Sequence, residues 1–160
     1  VSKVTLAHAL VSDARGMFKL TPEFLLIKGR FALESQYYFM NVARKNGLPS
    51  YRAHGVYGML RGMIIGKGYT YTSSEAGVAT PAPKSLEAVV CYDYVHASDS
   101  RAGIYGGITN DISCTFNYYF NSWMLARLRY SYTDVRDRRG ENLSPRRHLN
   151  MIEARLQIIF

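Results

Sequence analysis

No stretch of this chain stays apolar for long. Its clean hydrophobic runs, such as Phe24-Leu25-Leu26-Ile27 and Met63-Ile64-Ile65, stop at four or five residues. A membrane-crossing helix needs roughly 18, so a helical membrane protein is excluded. Cysteine is scarce: Cys91 and Cys114 have no metal-ligand spacing and are too few for a disulfide scaffold. No metal or cofactor is expected. Tryptophan occurs once, and the aromatic content lies instead in 13 tyrosines and seven phenylalanines, a bias that suits strands better than a helical bundle. Val1 opens directly into polar–apolar alternation, so no signal peptide is expected there, and the chain is either mature or begins within something larger. A catalytic constellation is missing too. His8, His54, His96 and His148 lie on four different segments, and Asp93 and His96 share a strand but face opposite ways. A barrel enzyme needs a histidine beside a serine or aspartate on neighbouring strands, so no enzyme is expected.

What is present is 48% hydrophobic residues over 160 positions, enough to exclude disorder and to fill a single domain over 1–160. Strict alternation organises the C-terminal half. Ile112, Cys114, Phe116, Tyr118 and Phe120 alternate with Asp111, Ser113, Thr115, Asn117, Tyr119 and Asn121. Asn121-Ser122 makes a tight turn, after which Met124, Ala126, Leu128, Tyr130 and Tyr132 alternate with Leu125, Arg127, Arg129, Ser131 and Thr133. Ile152, Ala154, Leu156, Ile158 and Phe160 form a third such set, and Leu86, Ala88, Val90, Tyr92 and Tyr94 a fourth. The four apolar faces hold twenty residues and no charge. Period two means strands with one apolar and one polar face.

A soluble sandwich shows the same division, so three further features matter. The segments are about ten residues long, as a tilted bilayer-crossing strand requires. Long and short connections alternate, and the chain ends on Phe160 in phase with the apolar face. These point to an all-β fold, a transmembrane antiparallel β-barrel of the bacterial outer membrane. With the C-terminus periplasmic, Tyr92, Tyr94, Tyr130 and Tyr132 fall near the outer interface, and Tyr118, Phe120, Trp123 and Phe160 near the inner one, as two aromatic girdles. Strands are expected at about 2–10, 17–28, 31–44, 51–65, 84–97, 105–121, 123–135 and 148–160. That is eight strands, which make either one small barrel or half of a sixteen-stranded one.

Several segments in series resemble the phosphate-selective porin O and P family, in the branch found in Bacteroidetes. They are Phe31-Ala32-Leu33-Glu34-Ser35-Gln36-Tyr37-Tyr38, Gly55-Val56-Tyr57 with Ile64-Ile65-Gly66-Lys67, Pro83-Lys84-Ser85-Leu86-Glu87 leading into Tyr92-Asp93-Tyr94, and Gly106-Gly107 before Asn117-Tyr118-Tyr119-Phe120-Asn121. The closing Glu153-Ala154-Arg155-Leu156-Gln157-Ile158-Ile159-Phe160 completes the series. Members are sixteen-stranded, usually trimeric barrels of more than twice this length. The resemblance therefore implies that this chain is the C-terminal half of such a porin. Gln36, Lys67 and Cys91 depart from the residues usual there, and family phosphate-binding elements in an earlier inward loop have no counterpart in this sequence.

Alternation also phases the charges. The pore-lining candidates are Arg61, Arg127, Arg129 and Arg155 against Glu34, Glu87, Asp93, Asp111 and Glu153; four minus five leaves −1. Arg61 fixes its strand's phase, because facing it to mid-bilayer costs about 2–4 kcal/mol. The overall +8 instead sits in connections, above all in an expected extracellular loop bearing Arg136, Arg138, Arg139, Arg146 and Arg147. Such a loop would meet lipopolysaccharide phosphates and acidic sugars. Nucleic acid is not expected, because these cations are not interleaved with stacking aromatics on one face. The mixed wall points to passive diffusion of small hydrophilic solutes or anions, phosphate among them, through a homotrimer or a larger outer-membrane assembly. The alternative is a complete eight-stranded barrel filled by its own side chains, with a structural or adhesive role. The Gly- and Pro-bearing 66–83 connection is read as a long turn, with a plug as the other option.

Overall fold

The computed structural model describes residues 8–74, 76–139 and 146–158. Among them are ten strands and no helix: β1 (Ala14–Leu20), β2 (Glu23–Lys28), β3 (Phe31–Arg44), β4 (Tyr51–Ile65), β5 (Tyr71–Thr72), β6 (Gly77–Val78), β7 (Ser85–Asp99), β8 (Ile104–Tyr119), β9 (Met124–Arg138) and β10 (Arg146–Ile158). β5 and β6 form a small separate hairpin. The others make one antiparallel sheet in the order β1-β3-β4-β7-β8-β9-β10, with β2 also paired to β3. The long strands hold 13 to 16 residues, or roughly 50 Å at about 3.3 Å per residue, enough to cross a bilayer at a steep tilt.

The 31–44 and 51–65 expectations match the observed strands end for end. The expected single strand at 17–28 is instead two. β1 pairs with the second half of β3, from Leu20↔Phe39 to Ala14↔Arg44, and β2 with the first half, from Glu23↔Gln36 to Lys28↔Phe31. The break falls at Thr21-Pro22, where proline has no N–H to give the ladder, while its carbonyl accepts the Tyr37 N–H at 3.1 Å. Of the expected strand at 2–10, residues 8–10 are not in a strand and the rest lie outside the described residues. The eight strands of the main sheet thus fill seven positions. Among the described residues β1, β2 and β10 have free edges, and the sheet is not closed.

One face is apolar and uncovered. Leu60, Ile64, Ile112, Leu128, Ile152 and Leu156 are about half exposed or more, a far larger apolar surface than a water-soluble domain leaves open. Aromatic rings edge this band at both rims. At the upper rim, where β9 ends and β10 begins, Tyr37, His54, Tyr94 and His96 cluster, and Tyr132 stacks on His148. At the lower rim, which carries the 120–123 turn, Tyr118 meets Phe120 edge-on with 4.7 Å between ring centres. Phe160 lies outside the described residues.

The other face carries the polar set, and two chain segments fold onto it. At the upper rim, Ala9 and Val11 pack on Val42, Tyr51 and Ile104, and the His8 N–H donates to the Gly106 carbonyl at 3.0 Å. Gly106 permits this approach, since a Cβ there would stand 2.7 Å from that of Ala9. At the lower rim the 66–84 connection does not merely turn. It lays Tyr69 across Ala32 and Met63, with Ile27 and Val78 alongside. These inward apolar side chains need a cover, and Tyr69 supplies it. Gly68 lies so close to strand-end Gly29 that an added Cβ would sit 2.4 Å from its carbonyl oxygen.

Candidate functional site

Cross-strand register decides which side chains share the polar face. Arg61 lies opposite Val89, Tyr57 opposite Asp93, Glu87 opposite Asn117, Asp111 opposite Thr133, and Asn117 opposite Arg127. Farther along the wall, Arg155 faces Arg127, and Glu153 faces Arg129. All nine pore-lining candidates therefore fall on one face, the one opposite the apolar band. Two like-charged pairs are directly opposed: Asp93 with Asp111, and Arg127 with Arg155. Such pairs destabilise a packed sheet and are tolerable where water screens them. A cavity of about 300 Å3 opens among Arg61, Glu87, Asp93, Asn117, Arg127 and Arg129.

Glu87 anchors its lower end. The carboxylate is fully buried and accepts three hydrogen bonds, from the Tyr69 hydroxyl at 2.7 Å, the Asn117 amide at 2.8 Å and the Tyr119 hydroxyl at 2.8 Å. A buried charge is costly unless its oxygens are satisfied, and here neutral donors satisfy it. Burial, then the hydrogen bond to Glu87, push the Tyr69 phenol well above its ordinary value, so it stays a donor. Asn117 links the anion to a cation. Its Nδ2 donates to Glu87, and its Oδ1 accepts from Arg127 Nε at 2.8 Å. The remaining Arg127 N–H groups have no partner among the described residues.

The other charges are partly internalised. Arg61 pairs with Glu34 at 2.9 Å across neighbouring strands. Arg129 donates to Ser113 at 3.3 Å and lies 3.8 Å from Asp111, which also accepts from Thr133. Asp93 accepts the Cys91 thiol at 3.3 Å. Cys114 stands on the other face, beside Val90 rather than Cys91, so the two thiols do not approach. Glu153 and Arg155 make no ion pair among the described residues.

The loop arginines are placed differently from the sequence expectation. Pairing continues past Thr133, so Arg136 and Arg138 end β9, while Arg146 and Arg147 begin β10. Only Arg139 is in the connection itself, with its guanidinium 3.7 Å from the Tyr105 ring centre. Asp134 drives the extension, accepting from Arg146 at 3.1 and 3.2 Å and lying 3.2 Å from His148. Residues 140–145 lie outside the described residues.

Three inward residues escape the sequence reading, and a fourth is read without its partner. Lys19 and Glu23 line the polar face, opposite Met40 and Gln36, but Phe24-Leu25-Leu26-Ile27 is apolar on both faces and hid the phase. Tyr69 sits in a segment with no periodicity. Tyr119 was placed on the correct face, but its bond to Glu87 spans 32 residues. No group of three or more metal-ligating side chains converges among the described residues.

A family model for phosphate-selective porin O and P matches residues 4–160. No curated protein matches the chain.

Proposed function

Because the chain belongs to the phosphate-selective porin O and P family, an outer-membrane porin family passing phosphate and other anions by diffusion, we propose that its polar face is the water-facing wall of the pore. Small hydrophilic solutes would cross along the same wall. The family is one of channels, not of enzymes. The observation that carries the assignment is the cavity in which Arg61, Arg127 and Arg129 converge on one side of the sheet, with an uncharged, exposed apolar band on the other. Arg127 and Arg129 are the anion-contacting groups: arginine replaces an anion's water with a fixed fork of N–H donors. Glu34, Glu87, Asp93, Asp111, Glu153 and Arg155 set the field around them.

The open sheet supports a further part of the reading. Edge strands with unpaired N–H and C=O groups are not tolerated in lipid, so β1, β2 and β10 need partners. We infer that the chain supplies the C-terminal half of a larger, sixteen-stranded barrel, assembled as a homotrimer or within a larger outer-membrane complex. A closed eight-stranded barrel filled by its own side chains is not favoured by seven open positions. The upper rim then faces outward, and Arg136, Arg139, Arg146 and Arg147, with Arg138 beside them in sequence, meet lipopolysaccharide there.

The test is single-channel recording of the natural full-length product in planar bilayers, with reversal potential under a KCl gradient. Wild-type protein is expected to give a salt-proportional current with anion preference. Arg127→Gln combined with Arg129→Gln is expected to move the reversal potential toward cations. Silence from pure, folded protein would overturn the channel reading, and an unmoved reversal potential would overturn the roles of the two arginines.

A further inference from the structure

A second, larger cavity lies on the other side of the wall, at the upper rim between β4 and β7. It measures about 630 Å3, and Arg52, His54, His96 and Arg101 line it with Asp99. His54 and His96 lie on different segments of the sequence, but the fold pairs them directly across the two strands. Their rings stack with 5.1 Å between centres. Asp99 forms no ion pair with either arginine among the described residues. Its carboxylate accepts the backbone N–H groups of Arg52 at 2.9 Å and of Arg101 at 3.1 Å. It thereby fixes both main chains at one place, while neither guanidinium forms an ion pair or side-chain hydrogen bond among the described residues. Two arginines and two imidazoles thus face one open volume with their donors unused.

What lies below the cavity narrows the ligand. Tyr37 and Tyr94 stand 6.4 and 6.0 Å from the His54 ring. Val56, Leu60 and Val90 continue downward on the same face, each exposed. From the rim inward the order is cationic, aromatic, apolar, the order that an anionic headgroup, its interface and its hydrocarbon tails require. A free anion needs only the first level. We propose that this cavity binds the phosphate of an outer-leaflet lipopolysaccharide, with Arg52 and Arg101 as its charge partners and the tails lying on Val56, Leu60 and Val90. The site takes its outer-leaflet position from the porin reading, but it concerns the outside of the barrel, not the pore.

Native mass spectrometry of the full-length protein in detergent tests it, with bisphosphorylated lipid A, the same lipid stripped of phosphate, and inorganic phosphate as competitor. The double variant Arg52→Gln with Arg101→Gln is expected to lose about tenfold or more in lipid A affinity. Dephosphorylated lipid A should bind wild-type protein as weakly as lipid A binds the variant. Single-channel conductance of the variant should be unchanged, which separates this site from the pore. Wild-type affinity in the double variant, equal binding of the dephosphorylated lipid, or a fall in conductance would each overturn the proposal. Displacement of lipid A by millimolar inorganic phosphate would overturn the lipid as ligand and leave a free-anion site.

Discussion

Tyr69→Phe removes one oxygen and nothing else. The ring keeps its packing on Ala32, Met63, Ile27 and Val78, but Glu87 loses the 2.7 Å bond from the 66–84 connection. A hydrogen bond to a charged group contributes about 1.5–3 kcal/mol, equivalent to roughly a 10- to 150-fold change in the equilibrium between the folded-in and released connection. Tyr69→Ala removes the ring as well, about 3–5 kcal/mol for a buried aromatic. Released, the connection no longer covers the lower end of the cavity. Single-channel records should then show larger or flickering current steps, graded from wild type through Phe to Ala. Trypsin cleavage at Lys67 and Lys84, which flank the segment, should accelerate in the same order. Tyr119→Phe is the matched control: it also costs Glu87 one hydroxyl, at 2.8 Å, but from within β8, so current and cleavage should stay near wild type. Tyr69→Ala with wild-type conductance and wild-type cleavage would refute the latch.

The two faces of β4 offer a test of phase. Leu60→Arg places a cation on the exposed apolar side and should cost about 2–4 kcal/mol in urea unfolding from vesicles, while Met59→Arg, whose side chain lines the cavity, should be nearly neutral. Arg61→Gln breaks a part-exposed ion pair with Glu34, so its stability effect should be about 1 kcal/mol or less; the freed carboxylate should nevertheless move the reversal potential toward cations. Gly106→Ala drives a methyl into Ala9 and the Ala97 carbonyl and should lower the unfolding midpoint by an overpacking cost of about 1–3 kcal/mol.

The wall of this barrel was legible because a strand's side-chain period is two, and every charge on a marked strand therefore declares its face. Arg127, Arg129 and Asp111 needed nothing more than their neighbours Leu128, Tyr130 and Ile112 to be assigned. The same rule explains the losses. Leu25 and Ile27 are inward but as apolar as outward Phe24 and Leu26, so the β2 segment carried no phase, and Glu23 went with it. Pro22 was visible, but whether a proline ends a strand or interrupts one depends on the partner, and β3 runs unbroken past it. Arg136 and Arg146 lie beyond the marked alternation and so read as loop in the sequence; the Asp134–Arg146 pair that draws the strands past Thr133 joins residues 12 apart. Tyr69 and the His54–His96 pair are products of register and loop folding, which no local period encodes.

Position alters the charge balance of the wall more than number does. Summed from sequence, the inward strands carry one more carboxylate than arginine, which argues against anion preference. But Glu87 is wholly buried behind Tyr69, Asn117 and Tyr119, and Glu34 is engaged by Arg61. Asn117 spends its amide on Glu87 and its carbonyl on Arg127, so the buried anion orients the guanidinium through a neutral group instead of cancelling it. Arg127 keeps its outer N–H groups toward the cavity, with Arg155 opposite adding like charge. Arg129 is held more loosely, 3.8 Å from Asp111. With Glu87 and Glu34 satisfied within the wall and Arg127 donors left toward the cavity, a nearly neutral lining would present a local positive potential there, and a passing anion would respond to that potential, not to the sum.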